Sequence, residues 1–424
     1  MPSEPRWSCT IPSIHDDTPL SVRIYHPSAL HSPDSPSGKP WRKRGIVMAH
    51  PYAPMGGSYD DRVVGIVTQE FLSAGWIVGT FNFRGAHGPK GKDAGRTSWT
   101  GKPELADFQS VAGLFMHYMS YLRPDPASDA PFTTDQSPLS SISAAQLELE
   151  EAITAPLVVL AGYSYGSLIL RHLPPIPSIL NPFAAPITGS AAAEIILKAH
   201  KLVDQVNLEF INAARDRERS RAQKGGHSPE HKLGPIAMGG EETSPEKRRS
   251  SRDIRRSLDT SRTRELGNRW RSLSHAGKGR RARGDAEPTL ADTTAERSAV
   301  QVQVQVPDVK YLLISPLTPP TSRLVAPGLA RGFWNRAIEE DATIKKHETL
   351  AVFGDQDMFA SARKMREWAE KIGTDNPRGF VAEEIKGAGH FWVEDGVERQ
   401  LREALQAWEK RVRGSPSTLS SYQC

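Results

Sequence analysis

The chain has 424 residues, is 38% hydrophobic and carries a formal charge of +5, which suits one large domain or two ordinary ones. No apolar run approaches the roughly 18–20 residues that a membrane-spanning helix needs. The basicity is local: residues 211–290 hold 20 Lys/Arg against 11 Asp/Glu, so the remainder sums to −4, and that mildly acidic body shows no nucleic-acid-reading motif.

The opening "MPSEPRWSCT" has no basic segment followed by an apolar stretch, which predicts no secretory signal. Cys9 and Cys424 lie at opposite ends and form no metal-ligand spacing, so a reducing, cytoplasmic setting without metal or organic cofactor is expected. Strand-like runs then follow in order: "LSVRIYH" (20–26), "RGIVMAH" (44–50), "GWIVGTFNF" (75–83), "PLVVLAG" (156–162), "VKYLLIS" (309–315), "ETLAVFG" (348–354) and "GFVAEEIK" (379–386). Several are unbroken Val/Ile/Leu runs, as parallel strands covered on both faces require.

Helical stripes lie between them: Val63, Val64, Val67 and Phe71; Leu105, Phe108, Ala112, Phe115, Met119 and Leu122; Met365, Trp368 and Ile372; Val397, Leu401, Leu405 and Trp408. The alternation predicts an α/β fold with a mostly parallel central sheet flanked by helices, and an antiparallel start at the first strands. Residues 190–214 read as one long helix, part of a small helical cap. Residues 124–151 hold six acids and no base among Pro and Ser, the pattern of a flexible acidic loop. Residues 216–299 are basic and too poor in apolar residues to offset backbone ordering, so a disordered insert is expected. "VQVQVQV" after it alternates with period two and is positioned to extend the next strand. The expected organisation is therefore 10–180 as the N-terminal part of the core, 181–215 as cap segment, 216–299 as insert, 300–413 as the C-terminal part, and 414–424 as flexible tail.

"LVVLAGYSYGSLIL" (157–170) ends a buried strand in two glycines around Ser164. Such a turn serves a nucleophile: it lifts the hydroxyl clear of the backbone, and Gly162 and Gly166 leave space for it. The helix that follows contributes N–H groups and dipole that favour developing negative charge. The hydroxyl also needs a base. His390, in the turn "GAGHFW" after a strand, has small neighbours that let an imidazole reach over a pocket. The base in turn needs an acid, and "GDQD" after the strand "ETLAVFG" offers Asp355 or Asp357, either of which could instead cap the next helix.

On "HP…GG" after one strand, "FNFRG" after the next, then "GYSYG", "GDQD" and "GAGH", the chain resembles the α/β-hydrolase superfamily, closest to its dienelactone-hydrolase-like and esterase-like branch. The resemblance spans most of 10–180 and 300–412. It implies an α/β-hydrolase fold, a Ser-His-Asp triad in the order Ser164, Asp357, His390, and a serine hydrolase acting on a carboxylic ester or related acyl substrate. Its G-x-x-D pattern places the acid on Asp357. The oxyanion hole would use the amide of Tyr165 and that of Tyr52, with Ala53 the second choice in that loop; His50 is left as a loop brace. Serine at the nucleophile position argues against cysteine-based dienelactone chemistry.

A reading of another class stands beside it: a non-catalytic scaffold or regulatory protein on the same fold. It would act through the basic insert, where "RRSS" and "RRSL" offer a kinase its serines and "GKGRRARG" suits a protein partner or nuclear import.

Overall fold

The structure is a computed structural model describing residues 4–30, 41–86, 95–124, 155–224, 306–330 and 340–414. Eight strands form one sheet: β1 (Trp7–Pro12), β2 (Pro19–Tyr25), β3 (Arg44–Ala49), β4 (Ile77–Phe81), β5 (Leu157–Tyr163), β6 (Asp308–Ile314), β7 (Thr349–Gly354) and β8 (Phe380–Ile385). Their order is β1-β2-β4-β3-β5-β6-β7-β8. β1 and β2 pair antiparallel, as do β2 and β4, and every other pair is parallel.

The helices are α1 (Arg62–Ser73), α2 (Lys102–Tyr121), α3 (Tyr165–Arg171), α4 (Ile176–Ala184), α5 (Ala191–Lys224), α6 (Thr321–Val325), α7 (Pro327–Ala330), α8 (Ala362–Asp375) and α9 (Val397–Gly414). All seven strand runs anticipated from sequence are present. β1 is an addition, starting at Trp7, and so is α4. α5 continues ten residues beyond the expected 214, so the segment expected to be disordered from 216 begins as helix through Lys224. The acidic loop (all but Pro124), the rest of the basic insert, residues 300–305 of "VQVQVQV" and residues 415–424 lie outside the described residues.

Period two divides the strand side chains between two cores. Val47, Ala49, Val158, Leu160 and Leu313 face α2, α3, α4 and α5. Ile46, Met48, Val159, Ala161, Leu312 and Val352 face α1 and α9. Full coverage is why β3, β4 and β7 read as continuous apolar runs. The sheet's two edges are less buried, and β8 carries Glu383 and Glu384 outward, charges that discourage edge-to-edge pairing. Among the described residues no helix is long and apolar enough to cross a membrane.

The parallel registers bring the carboxyl ends of the central strands to one level: Ala49 pairs with Gly162, Gly162 with Leu313, Ile314 with Val352, and Gly354 with Ile385. Loops leaving this edge therefore gather in one place, the usual location of sites on such sheets. The N-terminal hairpin is tied to it through "NFRG". The buried Arg84 guanidinium bonds Asp107 at 2.7 and 2.9 Å and Asp16 at 2.8 and 3.1 Å. Ser13 donates to Asp107 at 2.7 Å. Replacing Asp107 with Ala leaves that guanidinium buried beside a vacancy, and should cost about 3–5 kcal/mol of stability, read by urea denaturation.

Candidate active site

Ser164 follows β5 with φ 55° and ψ −111°, a backbone state rare for any residue but glycine. Three contacts hold it there. Its amide donates to the Ile314 carbonyl at 2.9 Å. The Ser167 hydroxyl, one residue past the motif, lies 2.5 Å from the Gly162 carbonyl oxygen and 2.9 Å from that of Ile314. The two glycines permit the close approach: a Cβ on Gly162 would lie 2.4 Å from the Gly166 backbone, and one on Gly166 would lie 2.7 Å from the Ala49 carbonyl oxygen. The glycines thus serve backbone against backbone, where the sequence suggested clearance for the hydroxyl.

His390 arrives from the loop after β8 and is buried. Its Nε2 lies 2.8 Å from Ser164 Oγ, and its Nδ1 lies 2.6 Å from Asp357 Oδ2. A carboxylate oxygen only accepts, so Nδ1 carries the proton and Nε2 is left to accept from the hydroxyl. The other oxygen of Asp357 accepts the amides of Phe359 at 2.7 Å and Ala360 at 3.1 Å. That oxygen braces the loop ahead of α8, which starts at Ala362 with Ser361 at its N-cap, so Asp357 pairs with His390 and does not cap the helix.

Asp355 is placed otherwise: its Oδ1 accepts the Gly387 amide at 2.7 Å, bracing the loop that carries His390. The Gln356 amide donates to the Ala388 carbonyl at 3.0 Å. The loops approach so closely that a Cβ on Gly354 would meet the Ala388 carbonyl oxygen at 1.9 Å. The Tyr163 hydroxyl donates to the His390 carbonyl at 2.7 Å, and the Trp392 indole to Ser315 Oγ at 3.0 Å. Sequence reasoning missed Ser167, Tyr163, Trp392 and Asp61. Asp61 caps α1 through the Val63 amide at 2.8 Å; burial pushes its carboxyl up, and the Val63 and Val64 amides, with a smaller contribution from His390, oppose that rise.

The rings of Tyr52 and Tyr165 come together, with centroids 5.1 Å apart. Tyr165 is the first residue of α3, where an amide has no partner within its own helix. The Tyr52 carbonyl accepts the amides of Met55 at 3.1 Å and Gly57 at 3.2 Å, closing a tight turn. Ala53 is buried within that turn. His50 stands apart from the reacting groups: its Nδ1 donates to the Pro51 carbonyl at 2.6 Å, and its Nε2 accepts the Phe83 amide at 2.9 Å. Among the described residues no group of three or more His, Cys, Asp or Glu is arranged to hold a metal ion.

No protein-family model and no curated sequence matches this chain. Solved structures do. An α/β serine hydrolase without lid from Xanthomonas campestris is 13% identical, with 97% of this chain and 96% of that one covered, at a TM-score of 0.41. Est1E from Butyrivibrio proteoclasticus is 11% identical over 96% of this chain and 99% of its own, at 0.38. An α-β serine hydrolase homologue from Coxiella burnetii is 12% identical over 96% and 98%, at 0.38.

Two outcomes follow from this geometry. Gly162→Ala should lose about 1–3 kcal/mol in urea denaturation because a methyl is forced into backbone, whereas Gly65→Ala, whose Cβ meets nothing within 4 Å, should be neutral or slightly stabilising. Burial lowers the His50 imidazole to about 4, below its unfolded value of ~6.5. The unfolded chain therefore binds the proton more readily, and the His50 contribution is complete above pH ~6.5 and is lost as pH falls toward 4. In thermal melts from pH 7 to 4, His50→Gln should show a shallower fall than the parent. The strand order, the strained turn after β5, and the chain order Ser164, Asp357, His390 together make this an α/β-hydrolase fold.

Proposed function

We propose that this chain is a serine hydrolase that cleaves a carboxylic ester or related acyl compound. The observation that carries this is one unbroken proton path, from Ser164 Oγ through both nitrogens of His390 to Asp357 Oδ2, with steps of 2.8 and 2.6 Å. These are hydrogen-bond distances at which a base can remove a proton as the oxygen attacks.

In the proposed sequence Ser164 Oγ attacks the acyl carbon while His390 Nε2 takes the hydroxyl proton. Asp357 holds the imidazole in the required tautomer and balances its positive charge. The amides of Tyr52 and Tyr165 receive the oxyanion, and removing one such donor typically costs ~10²–10³ in rate. His390 then gives its proton to the leaving alcohol, leaving an acyl-Ser164 ester. Water, deprotonated by His390, cleaves that ester and restores the hydroxyl. Thioesters and lactones meet the same groups in the same order, and the preference among them lies in the surrounding loops.

Incubation with a fluorophosphonate probe should label the Ser164 peptide stoichiometrically, as read by mass spectrometry. Ser164→Ala should remain unlabelled and lose hydrolysis of activated esters by on the order of 10⁴-fold or more. A folded parent that fails to label, or an alanine variant that labels equally, overturns the proposal.

A further inference from the structure

Large apolar side chains left in water stand on the loops that carry this site. Met55 is 64% exposed, Met358 77%, Phe391 48% and Val393 61%. All four stand on the loops that bear the reacting groups: Met55 three residues after Tyr52, Met358 beside Asp357, and Phe391 and Val393 just after His390. The Phe391 ring stands perpendicular to the His390 imidazole at 5.6 Å and edge-on to Phe359 at 6.0 Å. Scattered exposed hydrophobics are ordinary; a group of them around one set of convergent polar atoms marks a binding surface.

The charges on those loops are mostly acidic. Residues 50–61, 355–361 and 386–396 contain six Asp/Glu against one lysine, Lys386. Asp60 is paired with Arg23, Asp357 faces His390 and Asp355 lies within electrostatic reach of Arg366, and Asp61, Glu394 and Asp395 keep the balance of the collar acidic. Such a collar repels carboxylate- or phosphate-bearing substrates and anionic lipid surfaces alike. It has no quarrel with an uncharged chain.

We propose that Met55, Met358, Phe391 and Val393 form an open apolar rim that receives the acyl chain of uncharged esters and discriminates against anionic ones. This rests on the serine-hydrolase reading and adds its substrate class. Phe391 joins the rim to the His390 ring, so a chain on an acyl carbon bound at Ser164 meets apolar surface beside the imidazole. Because the rim is partly wet, each added methylene gains part of the roughly 0.8 kcal/mol of full burial, or about twofold in kcat/KM.

The test compares kcat/KM of the full chain for p-nitrophenyl acetate, butyrate and octanoate, and for the mono-p-nitrophenyl ester of glutaric acid. A second protein carries Met358→Ser, Phe391→Ser and Val393→Ser. The parent should favour octanoate over butyrate by about tenfold or more, and should disfavour the glutarate ester against butyrate by about tenfold. In the triple variant the octanoate preference should fall to within about threefold, while the rate of labelling by a small methylphosphonofluoridate stays within twofold of the parent. Normal labelling with a flat chain-length profile, or a profile the variant does not change, overturns the rim and leaves the hydrolase reading standing. A variant that changes oligomeric state in sedimentation, or vesicle binding, with an unaltered profile overturns it too, because the rim then serves a second copy or a membrane. If the folded parent neither labels nor hydrolyses any ester, the hydrolase reading falls and takes the rim with it.

Discussion

The backbone turn at Ser164 is the constraint to which the rest of the structure is fitted. A non-glycine residue held at φ 55° costs on the order of 1–3 kcal/mol and persists only where its surroundings leave it no alternative. Here β3, β5 and β6 supply those surroundings. Gly166 lies against the end of β3, the Ser164 amide is taken by the end of β6, and Ser167 bridges β5 and β6 through two carbonyl oxygens. The hydroxyl is thus fixed by the three central strands, the most buried part of the molecule. Strain at this point is balanced by contacts to strand ends that do not involve His390 or Asp357.

The His390 imidazole is fixed by different means. β7 and β8 are sheet neighbours, and the loops leaving them are tied to each other before either reaches Ser164. Gly354 admits the Ala388 carbonyl, Gln356 donates to it, and Asp355 receives the Gly387 amide. Tyr163 and Trp392 then anchor the His390 loop to the ends of β5 and β6. The imidazole is therefore placed by the backbone of its loop, and the 2.6 Å contact with Asp357 chooses its tautomer more than its position. The two acids in "GDQD" divide the work by register: adjacent odd positions on one loop send one carboxylate to the backbone and the other to the ring.

What the sequence made legible and what it hid follow from how far each signal reaches. β3 to β7 were readable because burial on both faces writes itself into consecutive residues, and the motif loops because strand ends, glycines and reactive groups fall within a few positions. β1 escaped because "WSCTIP" sits at an edge with alternate residues exposed, which resembles a loop. α4 was hidden by Pro182 inside it, since proline ordinarily ends a helix. α5 ran past its expected end because its last turns, "RDRERSRAQK", carry helix-forming Arg, Glu, Gln and Lys without the apolar stripe by which a helix was being recognised. Ser167, Tyr163 and Trp392 were hidden for another reason. Their partners in sheet or loop lie 147, 227 and 77 residues away, and nothing local in a tyrosine or serine announces a distant carbonyl.

The two histidines at this edge show how the same side chain is given opposite surroundings by its neighbours alone. Both follow a strand, both are buried, and both place each ring nitrogen within hydrogen-bond reach of a partner. His50 is held between a carbonyl, which can only accept, and an amide, which can only donate. Each proton in that arrangement has one place to be, and a second proton on the ring would point at the Phe83 N–H, so the imidazole stays neutral as a brace. His390 is held between a hydroxyl, which can give its proton up, and a carboxylate, which steadies the positive ring that results. The exchange of a peptide group for an ionisable or labile one at each nitrogen is what separates the two settings. That difference is invisible in "AHP" and "AGH", and it comes from which strand end each loop meets.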